Sequence, residues 1–257
     1  MKSSDRRNKI NDLLNIHGSM QVSQLAEILN VSMETIRRDL DILCEQYEIK
    51  KIHGGAVKNS SSSNEYFFNK RLNHNLSEKQ EIAKIASEFI EDGDIIALDT
   101  GTTVLQLIDY IYNKDISIVT SSLPVLTTLS KYNISRLKGK IIFLGGEFNE
   151  NSLSIYGEIS MSMLKSINIS KAFVSCDSFK EEEGIFFHNV REGVLTSEFI
   201  KRAEKSYLLL DSSKLSKNSF YNIGPISSVD TIISSAPCPD DLKSLYPNTD
   251  WVYIYNK

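Results

Sequence analysis

Apolar residues in the first 58 positions recur at helical spacing three times in close succession. Ile10, Leu13 and Leu14 form one stripe, on a helix expected over residues 5–16 that stops before Gly18. Leu25, Ala26 and Leu29 form a second in "SQLAEILN", with Ser23 as the expected N-cap. Ile36, Leu40 and Leu43 form a third, reached by a tight turn through Asn30 and Val31 and opened by Ser32, whose hydroxyl can cap the helix. "YEIKKIHGGAV" then alternates Ile49 and Ile52 and turns at Gly54–Gly55, the pattern of a small hairpin. Three short helices and a hairpin predict a winged helix-turn-helix whose third helix starts with "METIRRDL".

Beyond residue 76 the pattern changes. "SEKQEIAKIASEFI" reads as an amphipathic helix with a capping box of Ser77 and Gln80. Short apolar runs follow, each ending in small polar residues: "DIIALDTGTT", "ISIVTSS", "KIIFLGG", "KAFVSC", "YLLLDSSK" and "VDTIISS". Buried strands interleaved with helices predict an α/β fold with a largely parallel sheet. In such sheets ligands collect at the carboxyl ends of the strands. Between the two patterns lies "KNSSSSN" at 58–64, which cannot pack a core and reads as a linker. The expected organisation is therefore a head over 1–58, a linker and lead-in over 59–75, and an α/β body over 76–257.

Charge sharpens this division. The net charge of −4 over 257 residues excludes a basic coat along the whole chain. Residues 1–58 nevertheless hold nine Lys/Arg against eight Asp/Glu, clustered as Arg6–Arg7–Lys9, Arg37–Arg38 and Lys50–Lys51 beside His53. The remainder holds twenty against twenty-five. Three cysteines without CxxC spacing suit a reducing compartment. No apolar run approaches spanning length, so a cytoplasmic protein without a membrane partner is expected. Four scattered histidines show no metal-ligand spacing, and the chain calls for no cofactor.

Arg37 and Arg38 lie off the apolar stripe of the third helix. They have a bland explanation in pairs with Asp41 and Glu34 at i,i+4, worth ~0.3–0.5 kcal/mol each. On a helix laid in the major groove, Arg forks onto guanine while Ser32 and Thr35 reach phosphate or base edges. The basic wing Lys50, Lys51 and His53 would meet an adjacent phosphate. In the body, Asp99, Gly101, Thr102 and Thr103 offer a strand end, a glycine and two hydroxyls at a helix start, either an anion site or an ordinary strand–helix turn. "DSSK", ending at Lys214, is either a ligand loop or a solvated one. Thr120 and Gly145 are weaker signals of the same kind. Taken together, these strand ends fit a phosphate-bearing polyol better than an apolar ligand.

Arg6, Ile10, Leu14, Ser32, Thr35, Ile36, Arg37, Arg38, Asp39 and Leu40, with "HGGA" ending at Ala56, resemble the helix-turn-helix signature of the DeoR-type bacterial regulators. "EKQEIAKIASEFIEDGDIIALDTGTT", "IVTSSL", "FLGGEFN" and "YLLLDSSKL" resemble the effector domain of the same family, which is similar to the ribose-5-phosphate isomerase, glucosamine-6-phosphate deaminase and CoA-transferase fold. The resemblance implies a repressor of a sugar-metabolism operon, released from operator DNA by a phosphorylated sugar and self-associating as a dimer or tetramer. It also implies that Asp99, Gly101, Thr102, Thr103 and Lys214 belong to the ligand site. Within the helix-turn-helix motif Asp39 is expected to orient a neighbouring arginine or to cap locally, since a carboxylate beside DNA phosphates would be repelled. Ser121 replaces the usual Asn, "SCDS" over 175–178 replaces a Gly-rich end, and Thr196 stands where a Lys is common. All three bear on which sugar is bound. The competing reading is a sugar-phosphate or CoA-utilising enzyme with a DNA-binding head. Its candidate acids are Glu158, Glu181–Glu183 and Glu192, none of them in a motif assignable to a reaction.

Overall fold

In the computed structural model the described residues are 3–17, 19–46, 49–52, 54–58, 68, 71–132, 139–215 and 219–255. The chain divides into two compact units, residues 1–70 and 71–257. Residues 59–64 of the serine run and His53 lie outside the described residues.

The first unit comprises α1 (Ser3–His17), β1 (Ser19–Gln21), α2 (Val22–Leu29), α3 (Met33–Gln46), β2 (Ile49–Ile52) and β3 (Gly55–Lys58). Its antiparallel sheet has the order β1-β3-β2. Ile10, Leu14, Leu25, Ile36, Leu40 and Leu43 are all buried in one core, each side chain stabilising the fold by about 1.5–3 kcal/mol. Asn30 closes α2 in the left-handed region (φ 51°), and Ser32 Oγ accepts the Thr35 N–H at 3.1 Å, capping α3 as expected. The winged helix-turn-helix is thus formed. Ser23 is not the cap of α2. That helix starts one residue earlier, and Gln24 instead accepts the Gln21 N–H through its side chain at 3.2 Å. The wing turns at Gly54 (φ 81°), whose carbonyl accepts the Val22 N–H at 2.8 Å and so fixes the wing to the start of α2.

In the second unit, helical residues 71–73 precede α4 (Leu76–Glu88), then β4 (Ile95–Leu98), α5 (Thr102–Leu105), α6 (Ile108–Ile111), β5 (Ser117–Thr120), α7 (Leu123–Lys131) and β6 (Ile141–Phe143). A hairpin of β7 (Glu147–Asn149) and β8 (Ser154–Tyr156) leads to α8 (Glu158–Leu164) and β9 (Ile169–Val174). Then come β10 (Ser178–Lys180), β11 (Gly184–Phe187), α9 (Val190–Arg202), β12 (Ala203–Leu210), β13 (Tyr221–Gly224), β14 (Thr231–Ser234), α10 (Leu242–Leu245) and β15 (Asp250–Tyr253). Seven strands form a parallel sheet in the order β15-β14-β12-β9-β4-β5-β6. Ile96 and Leu98 pack into the layer on one face of β4, and Ala97 into the layer on the other, as a strand buried on both faces requires. The expected box of Ser77 and Gln80 is absent. Asn75 takes the left-handed conformation (φ 53°) and α4 begins at Leu76, leaving Ser77 inside the helix. No helix among the described residues is long and apolar enough to cross a membrane.

Candidate functional site

The strand order sets the site. From β4 the chain moves outward to β5 and β6 on one side, then returns to β9 on the other and continues outward to β12, β14 and β15. The β4/β9 boundary is therefore a topological switch point, and open α/β sheets bind their ligands beyond the carboxyl ends of the strands at such a point. The first residues past successive strands are Ser121, Asp99, Ser175, Asp211 and Ser235, a row of polar side chains along this edge. Ser121, Asp99 and Asp211 are almost wholly buried, and Ser121 Oγ and Asp211 Oδ2 have no hydrogen-bond partner among the described residues. Gly101 is required by proximity. A Cβ there would lie 2.0 Å from Ser175 Oγ.

Asp99 sits at the centre of the row. Its N–H donates to the Phe173 carbonyl at 3.1 Å, and its carboxylate accepts the Thr196 hydroxyl and, at 3.5 Å, the Ser175 N–H. Burial pushes its pKa up to about 7, against hydrogen bonds from Thr100, Ser175 and Thr196 that hold it down, while the charge of Glu192 adds a smaller upward push. Thr102 and Thr103 follow in α5, which is one turn long. So short a helix sums few peptide dipoles, and an anion here needs side-chain cations.

Those cations stand at the β12 end. Lys79, in the first turns of α4, is 2% exposed and donates to the carbonyls of Arg71 and, at 2.6 Å, His74. Burial lowers its pKa to about 8. The charge of Asp211 raises it, while those of Lys214 and Arg71 lower it further. Lys214 ends a single 3-10 turn whose start is capped by Asp211, Oδ1 accepting the Ser213 N–H at 3.1 Å. Glu78 anchors this turn to α4 by accepting the Ser212 N–H at 3.2 Å and the Ser212 hydroxyl at 2.8 Å. Burial pushes the Cys176 thiol up to about 12, and the charges of Lys214, Asp177, Asp211 and Asp99 lie near enough to act on it as well. Of the residues expected in a ligand site, Asp99, Gly101 and Lys214 are brought together here.

Thr120 and Gly145 are placed otherwise. The Thr120 hydroxyl is fully buried, donates to the Leu98 carbonyl at 2.7 Å and accepts the Ser122 N–H at 3.1 Å, tying β5 to β4. Gly145 follows the edge strand β6. Its N–H meets Met163 Sδ and its carbonyl accepts the Ser160 hydroxyl at 2.6 Å. Beside it lies a cavity of about 520 Å³ lined by Gly146, Tyr156, Ile159, Val190 and Val194, with neither Asp99 nor Lys214 in its walls. Sequence reasoning had Asp211 within "DSSK" and Ser175 within "SCDS", but did not single out Lys79 or Arg71. The polar residues directly after β4, β5, β9, β12 and β14 were the available signal.

In the first unit, Arg37 and Arg38 are exposed on α3, their side chains 58% and 79% accessible. Both pair with Glu34, at 3.7 and 3.4 Å. The expected Arg37–Asp41 pair does not form, because Asp41 binds Lys51 of β2. Asp39 is buried and accepts from Arg6 Nε at 2.5 Å, so it orients an arginine of α1. Ser32 and Thr35 share a hydroxyl contact of 2.8 Å at the start of α3. Lys50 lies in β2, adjacent to Lys51.

A winged helix-turn-helix with exposed arginines on its third helix, followed by a parallel α/β unit with a charged crevice at its switch point, defines a DNA-binding protein with a separate sensor domain. The sequence models of the DeoR-like helix-turn-helix domain and the DeoR C terminal sensor domain match residues 6–62 and 74–236. The chain belongs to the DeoR family of transcriptional regulators. It is 32% identical over 247 residues to the uncharacterized HTH-type transcriptional regulator YulB of Bacillus subtilis, covering 95% of this chain and 94% of that one. It is 34% identical to the lactose phosphotransferase system repressor of Staphylococcus epidermidis, covering 91% and 92%. Among solved structures it is similar to ribose 5-phosphate isomerase A from Neisseria gonorrhoeae, with 16% identity, 55% and 53% coverage and a TM-score of 0.40.

Proposed function

We propose that this regulator is a cytoplasmic repressor of a sugar-metabolism operon, released from its operator by a phosphorylated sugar bound at the carboxyl ends of β4, β9 and β12. The observation that carries the reading is the grouping of Lys79, Asp211 and Lys214 at the end of β12, where Asp211 caps the turn that ends at Lys214 and the charges of both act on Lys79. Two cations, with a carboxylate oxygen that has no partner among the described residues, suit a ligand with an anionic end and several hydroxyls. Lys214, less buried than Lys79, meets the phosphate, while Lys79 supplies positive potential from behind it. Gly101 lets the β4 loop approach Ser175, and Thr102 and Thr103 line the same turn. Thr120 and Gly145 support the sheet from outside the contact set.

On the DNA side, Arg37 and Arg38 leave Glu34 for the major groove, where Ser32 and Thr35 contact the backbone or bases. Lys50, Lys51 and His53 contact phosphate from the wing. A palindromic operator calls for at least two heads, so the working form is a dimer or tetramer. The relative named a lactose phosphotransferase system repressor supports the sign of regulation and the link to sugar metabolism.

The test is ligand-dependent stabilisation of the full chain against a panel of sugar phosphates. A ligand at a hundred times its Kd stabilises by about 2.7 kcal/mol, and the same compound must release operator DNA. The enzyme reading has one observation in its favour, the Asp99 carboxyl with a pKa of about 7, close to what a general base needs. Turnover of the stabilising sugar phosphate would decide for it.

A further inference from the structure

Two partly exposed carboxylates flank Asp99. Asp177 lies two residues beyond Ser175 past the end of β9, and Glu192 lies one turn before Thr196 in α9, Ser175 and Thr196 both donating to Asp99. Each is held by one oxygen only. Asp177 Oδ2 accepts the His188 N–H at 2.9 Å. Glu192 Oε1 accepts the Asn149 amide at 2.5 Å and the Ser152 hydroxyl at 2.6 Å. Asp177 Oδ1 and Glu192 Oε2 accept no hydrogen bond among the described residues. The carboxylates are also close enough to oppose each other's charge. After burial, and against the Ser152 hydrogen bond, Asp177 is the main influence raising the pKa of Glu192. Arg71 lies near enough to both Glu192 and Lys79 for its charge to act on each. On the neighbouring strand end, Ser121 Oγ is wholly buried and has no partner among the described residues.

We propose that Asp177 and Glu192 are the specificity residues of the effector crevice, their free oxygens accepting from neighbouring hydroxyls of a sugar monophosphate whose phosphate lies at Lys214. This rests on the reading that a phosphorylated sugar occupies the strand ends. An ionised carboxylate only accepts hydrogen bonds, and sugar hydroxyls are the donors that fit it, in bonds stronger than neutral ones. The scaffold of His188, Asn149 and Ser152 fixes both groups beforehand, so little ordering opposes binding. The same charges repel a second phosphate. The site therefore selects monophosphates over bisphosphates, and hydroxylated sugars over their deoxy counterparts, which would leave a carboxylate oxygen unpaired.

The test is calorimetric titration of the full chain with inorganic phosphate, ribose 5-phosphate, 2-deoxyribose 5-phosphate, fructose 6-phosphate and fructose 1,6-bisphosphate. At least one of the two hydroxylated monophosphates should bind about tenfold or more tighter than inorganic phosphate, with its deoxy or bisphosphate counterpart losing most of that advantage. Glu192→Gln and Asp177→Asn, which keep side-chain size, should each remove about tenfold of it and leave inorganic phosphate unchanged. Equal weakening of phosphate and sugar phosphate by these variants, or no change in the ranking of the five probes, would overturn the proposal. Failure of the underlying reading has a different signature: inorganic phosphate then binds equally well to the parent and to Lys214→Ala.

Discussion

The Thr196 hydroxyl lies 3.2 Å from both carboxylate oxygens of Asp99, joining α9 to the end of β4 through a group that carries no charge. Asp99 is thus buried without an ion pair among the described residues, and its carboxyl is pushed up from 3.8 to about 7. Between those values the folded chain holds a proton that the unfolded chain has released. Stability therefore falls as pH rises across that window and levels off above it. Asp99→Asn removes this dependence. Urea unfolding followed by Trp251 fluorescence should show the parent losing stability relative to the variant between pH 4 and 7. A pH-independent difference would contradict the assignment.

Gly101 provides a steric test of the same strand end. A methyl group there would come within 2.0 Å of Ser175 Oγ and 2.7 Å of Ser175 Cβ, so Gly101→Ala must separate the ends of β4 and β9. Sugar-phosphate affinity should drop by about tenfold or more, while the operator affinity of the ligand-free protein stays the same. Adding Ser175→Gly should recover much of the loss, since coupling is expected between contacting residues. Additive losses would mean that Gly101 acts in some other way.

Arg37→Ala and Arg38→Ala each break a surface pair with Glu34 worth about 0–1 kcal/mol, so folding should be almost unchanged. An arginine that reads a base should cost about 1–3 kcal/mol and relax specificity at one position. An arginine on phosphate should reduce the salt slope of operator binding by about 0.9. Unchanged affinity and slope in the double variant would make the pair a solvated helix face.

Lys79 gives effector binding a pH dependence of its own. Its pKa of about 8 in the free protein must rise when an anion settles nearby. Binding above pH 8 should therefore take up protons, and affinity should decline as pH rises through about 8. Titration in buffers of different ionisation enthalpy measures the uptake directly. Zero uptake at pH 8.5 would place the anion away from Lys79.

The fold was legible where local pattern and tertiary structure agree. The stripes of Ile10, Leu25 and Ile36 each mark one face of one helix, and those faces form the core of the first unit. In the wing only Ile49 joins that core, while Ile52 is exposed. Cap positions were less legible. Ser23 and Ser77 have capping chemistry but lie inside their helices, because Gln21 and the left-handed Asn75 fix the starts. The three-residue β1 is too short to carry a period. Asp41 turns from Arg37 to Lys51, a partner ten residues away that only the folded wing brings near. In the crevice, Asp99, Gly101 and Lys214 were found because each follows a strand. Lys79 and Glu192 sit on helices whose patterns look like any solvent-facing surface, and only the packing of α4 and α9 turns them toward the strand ends. Thr120 shares the strand-end pattern, yet its hydroxyl is engaged by the backbone.

The central claim, that a phosphorylated sugar at Lys214 releases the DNA-binding head, is tested most directly by operator binding of the parent and of Lys214→Ala across a titration of the stabilising sugar phosphate. Hydrogen bonds to charged groups are worth about 1.5–3 kcal/mol. The variant should therefore bind operator normally without ligand and need about ten to a hundred times more ligand for release. Release of parent and variant at the same concentration, or loss of operator binding by the variant with no ligand present, would contradict the account.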